Sequence, residues 1–389
     1  FASTGILGVL FWCFYWIRAW YHFQLYRSIP RQTGHDLDST TAVPSLPSLT
    51  VIVPACNEGE TIEAAAQSLL AQDYPALEFI FINDRSEDDT GNIIDRLAES
   101  DSRIKPVHIT TLPEGWLGKV HALHVATTQA QGEWLLYTDA DVCFEPNALQ
   151  EIVTYALNED IDHLAGLPKI RPANFALEVA IATFFSLSMF FVSPKRVADP
   201  NDPLAVGVGA LNLVRRSTLE NSDGFPWLKM ETVDDLGLGL LLKRSGARTQ
   251  AVLAKSQLSL GWYNRLGEMA KGLEKNSPAL TRYSFWRAVG LWSIFPLALT
   301  SLLGLLALPG TAAILLITVG AVFSWVAGQA MTRKTSFSPI SFLLSPFGFI
   351  LLWLIFCRAI SLLWWRAGVD WRGTHYPLSS LKHGRRIEI

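Results

Sequence analysis

The chain has 389 residues, is half apolar and carries only 17% charged residues with a formal net charge of −3. A charge content below the soluble norm of about 25% argues against an ordinary water-soluble globule, and the lack of a basic, aromatic-interleaved stripe argues against nucleic acid as a partner. The four cysteines, Cys13, Cys56, Cys143 and Cys357, are far apart with no CxxC pair, so neither a zinc site nor a disulfide framework is indicated.

The charges are unevenly spread. They are common from Glu58 to Lys275 and nearly vanish from Ala288 to Met331 and from Ser338 to Cys357, which predicts a soluble domain stitched to membrane segments. Gly5–Leu25 supplies the roughly 20 residues a spanning helix needs, provided that Arg18 snorkels and the neighbouring aromatics mark an interface. Residues 1–27 are therefore expected to be a transmembrane anchor rather than a cleaved leader, because no small-residue cleavage site follows. Residues 28–48, with Pro30, Pro44 and Pro47 among polar residues, are expected to be a linker.

From Leu49 strands alternate with helices: strands Leu49–Val53, Glu78–Ile82, Ile104–Ile109 and Trp134–Thr138, and helices Glu60–Ala71, Asp88–Ser100 and Lys119–Ala130. That alternation predicts an α/β domain over residues 49–286 with a parallel sheet and helices on both faces. Ligands then bind at the carboxyl ends of the strands. Pro54–Glu58, Asn83–Ser86 and Asp139–Asp141 all fall at such ends.

Phe175–Val192 is apolar but interrupted by Glu178. It reads either as a helix in the membrane interface or as a buried core helix. Ala288–Leu308 and Thr311–Met331 are each about a bilayer span long and are separated by Pro309-Gly310, so they read as a hairpin. Ile340–Trp365 reads as a third span, with Trp364 and Trp365 at an interface. The C-terminal membrane region is thus residues 287–366 and the tail residues 367–389. A third span would export the basic tail against the positive-inside rule. Either this segment is re-entrant around Pro346 or the rule is broken.

Asp139 and Asp141 stand one residue apart behind the apolar run Trp134–Thr138. Such a pair is either a turn or an oxygen-only site for Mg²⁺ or Mn²⁺, which in turn holds a diphosphate. Lys119 opens a helix and is either a point charge near phosphates or a solvated lysine. Lys271 and Lys275 share a helical face that either approaches a diphosphate or lipid headgroups or is solvated. Asp234-Asp235 opens a helix predicted over Leu236–Ser245, where one carboxylate serves as cap or first-turn charge. The glycines of Gly207–Asn212 allow close backbone approach or mark a strand bulge.

Taken in order, Val53-Pro54-Ala55-Cys56-Asn57-Glu58, Phe81 to Thr90, Gly118-Lys119, Asp139-Ala140-Asp141, Gly207 to Asn212 and Asp234-Asp235 resemble a family-2 glycosyltransferase with a GT-A fold. The likeness covers roughly Leu49 to Asn276. The run Pro113 to Lys119 and the flanking spans are similar to hopanoid-associated, carotenoid and ceramide glycosyltransferases. The resemblance implies a Rossmann-like, mixed but mostly parallel sheet with transmembrane helices at both termini. It implies that Pro54, Glu58, Asp84, Lys119 and Asp139 bind a UDP-sugar, with Asp84 accepting from the uracil. Glu58 equally reads as a first-turn helix charge, and Asp84 as part of an Asn-Asp turn.

Asp141, with Asp139, would hold the metal, Lys275 could approach the donor, and Asp235 would be the general base of an inverting transfer. The chain departs from processive members, which carry a Q/RxxRW motif; Arg265 to Asn276 holds no tryptophan. The expected function is hexose transfer, with glucose favoured, from a UDP-sugar to a hydroxyl of a membrane lipid. The expected location is a bacterial inner or plasma membrane with the catalytic domain cytoplasmic. A polyprenyl-phosphate acceptor, a silent scaffold of the same fold and a membrane nucleotidyltransferase are the alternatives; the oligomeric state is not legible.

Overall fold

The computed structural model describes residues 2–31, 46–293 and 308–387. Most of the expected linker and much of the expected span Ala288–Leu308 lie outside the described residues.

Helix α1 (Ala2–Gln24) leads to a short strand β1 (Arg27–Ser28). An α/β unit follows: β2 (Leu49–Ala55), α2 (Ile62–Leu70), β3 (Leu77–Asp84), α3 (Thr90–Ser100), β4 (Ile104–Ile109), α4 (Gly118–Gln129) and β5 (Trp134–Tyr137). It continues with β6 (Cys143–Phe144), α5 (Ala148–Asn158), β7 (His163–Leu167), β8 (Lys169–Ile170), α6 (Phe175–Phe191) and α7 (Pro194–Ala198). Next come β9 (Asn212–Arg215), α8 (Arg216–Glu220), α9 (Gly224–Trp227), α10 (Asp234–Arg244), β10 (Thr249–Leu253), β11 (Leu258–Leu260) and α11 (Leu266–Leu280). The C-terminal part holds α12 (Gly310–Thr332), α13 (Pro339–Leu343), α14 (Ser345–Trp365), a hairpin of β12 (Gly368–Trp371) and β13 (Thr374–Pro377), and α15 (Leu378–Gly384).

The main sheet has the order β1-β10-β7-β9-β5-β2-β3-β4. All pairings are parallel except those of β9, which runs antiparallel to both β5 and β7. Its central strands are apolar at nearly every position because both faces are covered. Val51, Val53, Phe79 and Phe81 pack on one face with Ile62 and Ile94. Ile52, Ile80, Ile82 and Leu135 pack on the other with Val120, Leu123 and Leu238.

Strands β2 and β3 run two residues further than the apolar pattern suggested, so Pro54 lies within β2 opposite Ile82 and Asp84 is the last residue of β3. Residues 27 and 28, expected to begin or adjoin a linker, instead pair with Val252 and Leu253 at the sheet edge.

Helix α6 packs against α1 and α14, burying Leu177, Ala180, Ile181 and Met189 and leaving Phe175 and Phe191 exposed at its ends. Arg18, expected to reach for headgroups, donates from Nε to the Phe190 carbonyl at 3.0 Å and so serves the unpaired C-terminal end of α6.

Two described helices, α12 and α14, are long and apolar enough to cross a bilayer. α1 is long enough, but Arg18, His22 and Gln24 in its last turns dilute its hydropathy and it is not among them. Its face still exposes Leu7, Leu10, Phe11 and Phe14, and α12 exposes Ile314, Leu315 and Val326.

The expected third span is broken into α13 and α14, and both ends of it meet the α/β unit. At the start, Ser341 donates to Glu178 of α6 at 2.7 Å. At the far end, Arg358 and Arg366 bond Glu274 of α11 at 2.7 and 2.9 Å. The chain then returns to the α/β unit, where the expected tail is ordered as the β12–β13 hairpin and α15. A two-stranded hairpin has little stability of its own, so this one depends on docking: Val369 and Tyr376 are buried with Leu381 against the same core as α4 and α10.

Gly348 allows α14 to lie against α6, since a Cβ there would overlap the Thr183 hydroxyl. Gly348→Val is expected to destabilise the protein by about 1–3 kcal/mol through overpacking, read as a lowered melting temperature in detergent micelles.

Candidate active site

The site forms where β2, β3 and β5 end and α4 and α10 begin. After β5, the Thr138 hydroxyl donates to the Ala210 carbonyl at 2.9 Å and the Asp139 amide donates to the Gly209 carbonyl at 3.0 Å. The Gly209 amide donates in the other direction, to Asp235 Oδ2 at 3.1 Å. One glycine residue therefore joins Asp139 to Asp235. It has to be glycine, because a Cβ would overlap Asp139 Oδ2, and a Cβ on Gly207 would overlap the Asp235 carbonyl. Close approach, rather than a bulge, is the reason for glycine here.

Lys119, in the first turn of α4, reaches Asp139 Oδ1 at 2.7 Å and Asp234 Oδ2 at 3.0 Å. Lys275 of α11 meets the other oxygen of Asp234 at 3.3 Å. Lys119 and Lys275 are thus ion-paired rather than solvated. Lys271, expected on the same face, is exposed, whereas Lys275 is buried. Asp234, expected as helix-start support, makes no capping bond; α10 follows Val233 without a side-chain cap. It is the buried counter-ion of two lysines.

These surroundings separate the carboxylates. Burial works against the charge on Asp234, but Lys119 and Lys275 outweigh it and hold its carboxyl at about 2. Asp235 is buried too, next to the Asp234 charge, and is pushed up to about 6. Asp141 is pushed up to about 7 by burial and by the Asp139 and Glu58 charges. Neighbouring carboxylates whose values are driven apart in this way are a pattern of acid–base sites and also of buried ion-pair networks.

Among the described residues no group of three or more His, Cys, Asp or Glu side chains is arranged to hold a metal. Asp139 and Asp141 nevertheless fit one. Their donors are all oxygen, and the excess negative charge that raises Asp141 is what a divalent cation relieves. The remaining ligand positions would fall to ligand or water oxygens.

At the neighbouring strand ends, Asp84 is held by Arg85 at 2.7 and 3.1 Å. The Asn-Asp turn bond belongs to Asn83, whose Oδ1 accepts from the Ser86 amide, so the Asp84 carboxylate has no turn role. Glu58 accepts from Thr61 at 3.2 Å and from Arg372 of the C-terminal hairpin. Glu58, Asp84, Arg85 and Arg372 line one cavity with Lys119 and the four aspartates, and it also contains Pro54 and Lys275. Sequence reasoning missed Arg85, Trp371, Arg372 and Tyr376. The available signal was the alternating stretch Val369–Tyr376 interrupted by Gly373, a short hairpin pattern.

Fold and site define an α/β architecture with a carboxylate-rich site at the strand ends, and the comparisons give its class. Residues 50–221 match the family model of Glycosyl transferase family 2, so this segment is a family-2 glycosyltransferase domain, and its fold is of the GT-A type. The probable glycosyltransferase YdaM of Bacillus subtilis is 33% identical over 117 residues, covering 30% of this chain and 28% of that protein. Poly-beta-1,6-N-acetyl-D-glucosamine synthase of Staphylococcus aureus is 30% identical over 168 residues, 42% of this chain and 38% of that one. The matched segments span 28% to 38% of the length of these relatives.

Among solved structures, the mannosyltransferase PcManGT of Pyrobaculum calidifontis, in complex with GDP-Man and Mn²⁺, shares the fold with a TM-score of 0.58 at 20% identity. The superposition covers 93% of this chain and 98% of that one.

Asp234 lies below the usual carboxylate range, so its contribution to stability is present above about pH 4 and is lost as pH falls toward 2. Asp234→Asn is expected to destabilise the protein by about 3 kcal/mol at pH 7 by leaving two lysines under-compensated. In denaturant titrations the gap from the parent should close as pH falls from about 4 toward 2.

Proposed function

We propose that the protein is a membrane-bound, inverting, metal-dependent hexosyltransferase that moves a sugar, with glucose favoured, from a UDP-sugar to a hydroxyl of a membrane lipid. The observation that carries this reading is one cavity of about 2350 Å³ that runs from the carboxylate site to apolar side chains of α1, α6, α12 and α14, among them Trp12, Phe184, Leu316 and Phe349. A nucleotide sugar needs the polar end of such a cavity, and an acyl or isoprenoid chain suits the apolar end. The exposed apolar faces of α1 and α12 and the length of α12 support a membrane setting with lateral entry of the acceptor. In this reading the catalytic domain faces the cytoplasm, where nucleotide sugars are made, and the host membrane is the bacterial inner or plasma membrane.

In the proposed reaction, Asp84 and Glu58 receive hydrogen bonds from the nucleoside. Asp139 and Asp141 would hold Mg²⁺ or Mn²⁺, which when bound would supply positive charge for the departing diphosphate. Lys119 adds a fixed positive charge at the same place. Asp235, elevated to about 6, is mostly ionised at neutral pH yet basic enough to accept a proton. The Gly209 and Leu236 amides, at 3.1 and 2.8 Å, hold its carboxylate in position. The acceptor oxygen attacks the anomeric carbon and gives its proton to Asp235. The carbon–oxygen bond to the diphosphate breaks with its electron pair staying on the nucleotide, and the configuration inverts.

Asp235→Asn should fold and bind UDP with Mn²⁺ nearly as the parent does, yet transfer sugar to vesicle-borne lipid at least about a hundredfold more slowly. The parental kcat should fall about tenfold per pH unit below about 6. Parental turnover by the Asn variant would remove the base role or point to a phosphate acceptor, which needs no deprotonation. Asp141→Ala, and EDTA treatment of the parent, should each abolish turnover and weaken UDP; full activity in EDTA would remove the metal assignment. Mass spectrometry of lipids from cells with and without the active protein identifies the acceptor.

A further inference from the structure

The C-terminal hairpin is not absorbed by that reading. Its turn is Arg372-Gly373, with φ of 48° and 75°. This is the left-handed pair of a two-residue hairpin turn, a position that favours Asn or Asp before Gly. A long side chain there costs roughly 1–2 kcal/mol relative to a right-handed conformation, so the arginine calls for a reason beyond making the turn. Its contacts supply one.

From the tip of the hairpin the Arg372 guanidinium bonds the Cys56 carbonyl and the Glu58 carboxylate, at the end of β2. Thr374 accepts from Arg85 at 3.2 Å, and Arg85 in turn holds Asp84 at the end of β3. The Tyr376 hydroxyl accepts from the Gly118 amide at 3.2 Å, directly before Lys119. Lys275 lies over the Trp371 ring at 5.0 Å. Four of the five segments carrying a candidate donor-binding residue, all but the Asp139 segment after β5, are therefore tied to this one hairpin. Asn57 and Arg85, which flank the same rim, also have left-handed φ of 55° and 56°. Such conformations persist where surrounding structure holds them and concentrate at ligand sites.

We infer that the β12–β13 hairpin is the outer wall of the donor pocket and that Arg372 is a positioning residue for a nucleoside diphosphate, acting through Glu58 and the Cys56 peptide. The inference rests on the donor occupying the edge proposed above. Glu58 and Asp84 are hydrogen-bond acceptors for a base or ribose, but their charges oppose the approach of an anionic diphosphate. Arg372 and Arg85 compensate those charges while fixing the direction of the carboxylates. The indole of Trp371 lines the same pocket, with Arg372 and Lys275 over its ring at 5.8 and 5.0 Å.

The test uses the full-length protein in detergent micelles, with UDP or GDP plus Mn²⁺ as probes in calorimetry and donor kinetics alongside. Arg372→Ala is expected to weaken nucleotide binding and raise the donor KM about tenfold, with kcat at saturating donor within about twofold of the parent. Arg372→Lys should fall between the two, since one ammonium cannot span carbonyl and carboxylate as the guanidinium fork does. Unchanged affinity in a folded Arg372→Ala protein overturns the inference and leaves the hairpin a purely structural clasp. Tighter binding also overturns it, making Arg372 a group the donor must displace. If the alanine variant does not fold, parental affinity in Arg372→Lys has the same overturning force. A parent that binds neither nucleotide, or an Asp141→Ala variant that binds as the parent does, overturns the donor assignment itself and the inference with it.

Discussion

Lys119 stands between Asp139 and Asp234, within 2.7 and 3.0 Å of their oxygens, and the arrangement of the site follows from that contact. Asp139, Asp141, Asp234 and Asp235 meet in a partly dry space where uncompensated carboxylates would repel one another. Lys119 and Lys275 outweigh burial at Asp234 and keep it ionised, whereas burial and neighbouring carboxylates dominate at Asp235 and Asp141. Those two are the groups raised to about 6 and about 7. The lysines therefore hold Asp234 low, while burial and the neighbouring carboxylates set the other two high. The peptide of Gly209 fixes the distance, because its carbonyl and amide bond Asp139 and Asp235 in opposite directions.

The C-terminal apolar helices are joined to α6 and α11 by polar contacts on an otherwise apolar bundle. Glu178 of α6 holds the start of the α13–α14 segment, and Glu274 of α11 holds its end through Arg358 and Arg366. A helix of bilayer-spanning length is thus tied to the α/β unit at both ends. That returns the basic C-terminal residues to the catalytic side, where Arg386 donates to the Trp227 carbonyl at 2.8 Å and to Glu231 through its amide at 2.7 Å. The expected third span is therefore two helices, α13 and α14, and the basic tail that follows packs on the α/β unit.

The departure from processive enzymes has a structural counterpart. Helix α11 carries no tryptophan, yet an indole faces Lys275, because Trp371 is brought there by the hairpin. An aromatic group and a buried lysine come together from segments nearly a hundred residues apart, a juxtaposition that no local motif records.

The sequence by itself determined the α/β unit, the edge of the sheet that carries the site, and membership of residues 50–221 in the glycosyltransferase family. Those depend on local patterns: buried parallel strands are continuous apolar runs, and the polar residues at their carboxyl ends stand beside them in the chain. Tertiary structure alone decided what each charge pairs with. Asp234 looked like a helix-start carboxylate, and Lys119 and Lys275 had a solvated reading, because ion pairing between α4, α10 and α11 has no signature in any one segment. It also decided the course of the C-terminal segments. Hydropathy measures how apolar a stretch is, whereas the path of α14 and the docking of the hairpin depend on Glu178, Glu274 and Glu58, distant residues whose partners become legible only when the chain is folded.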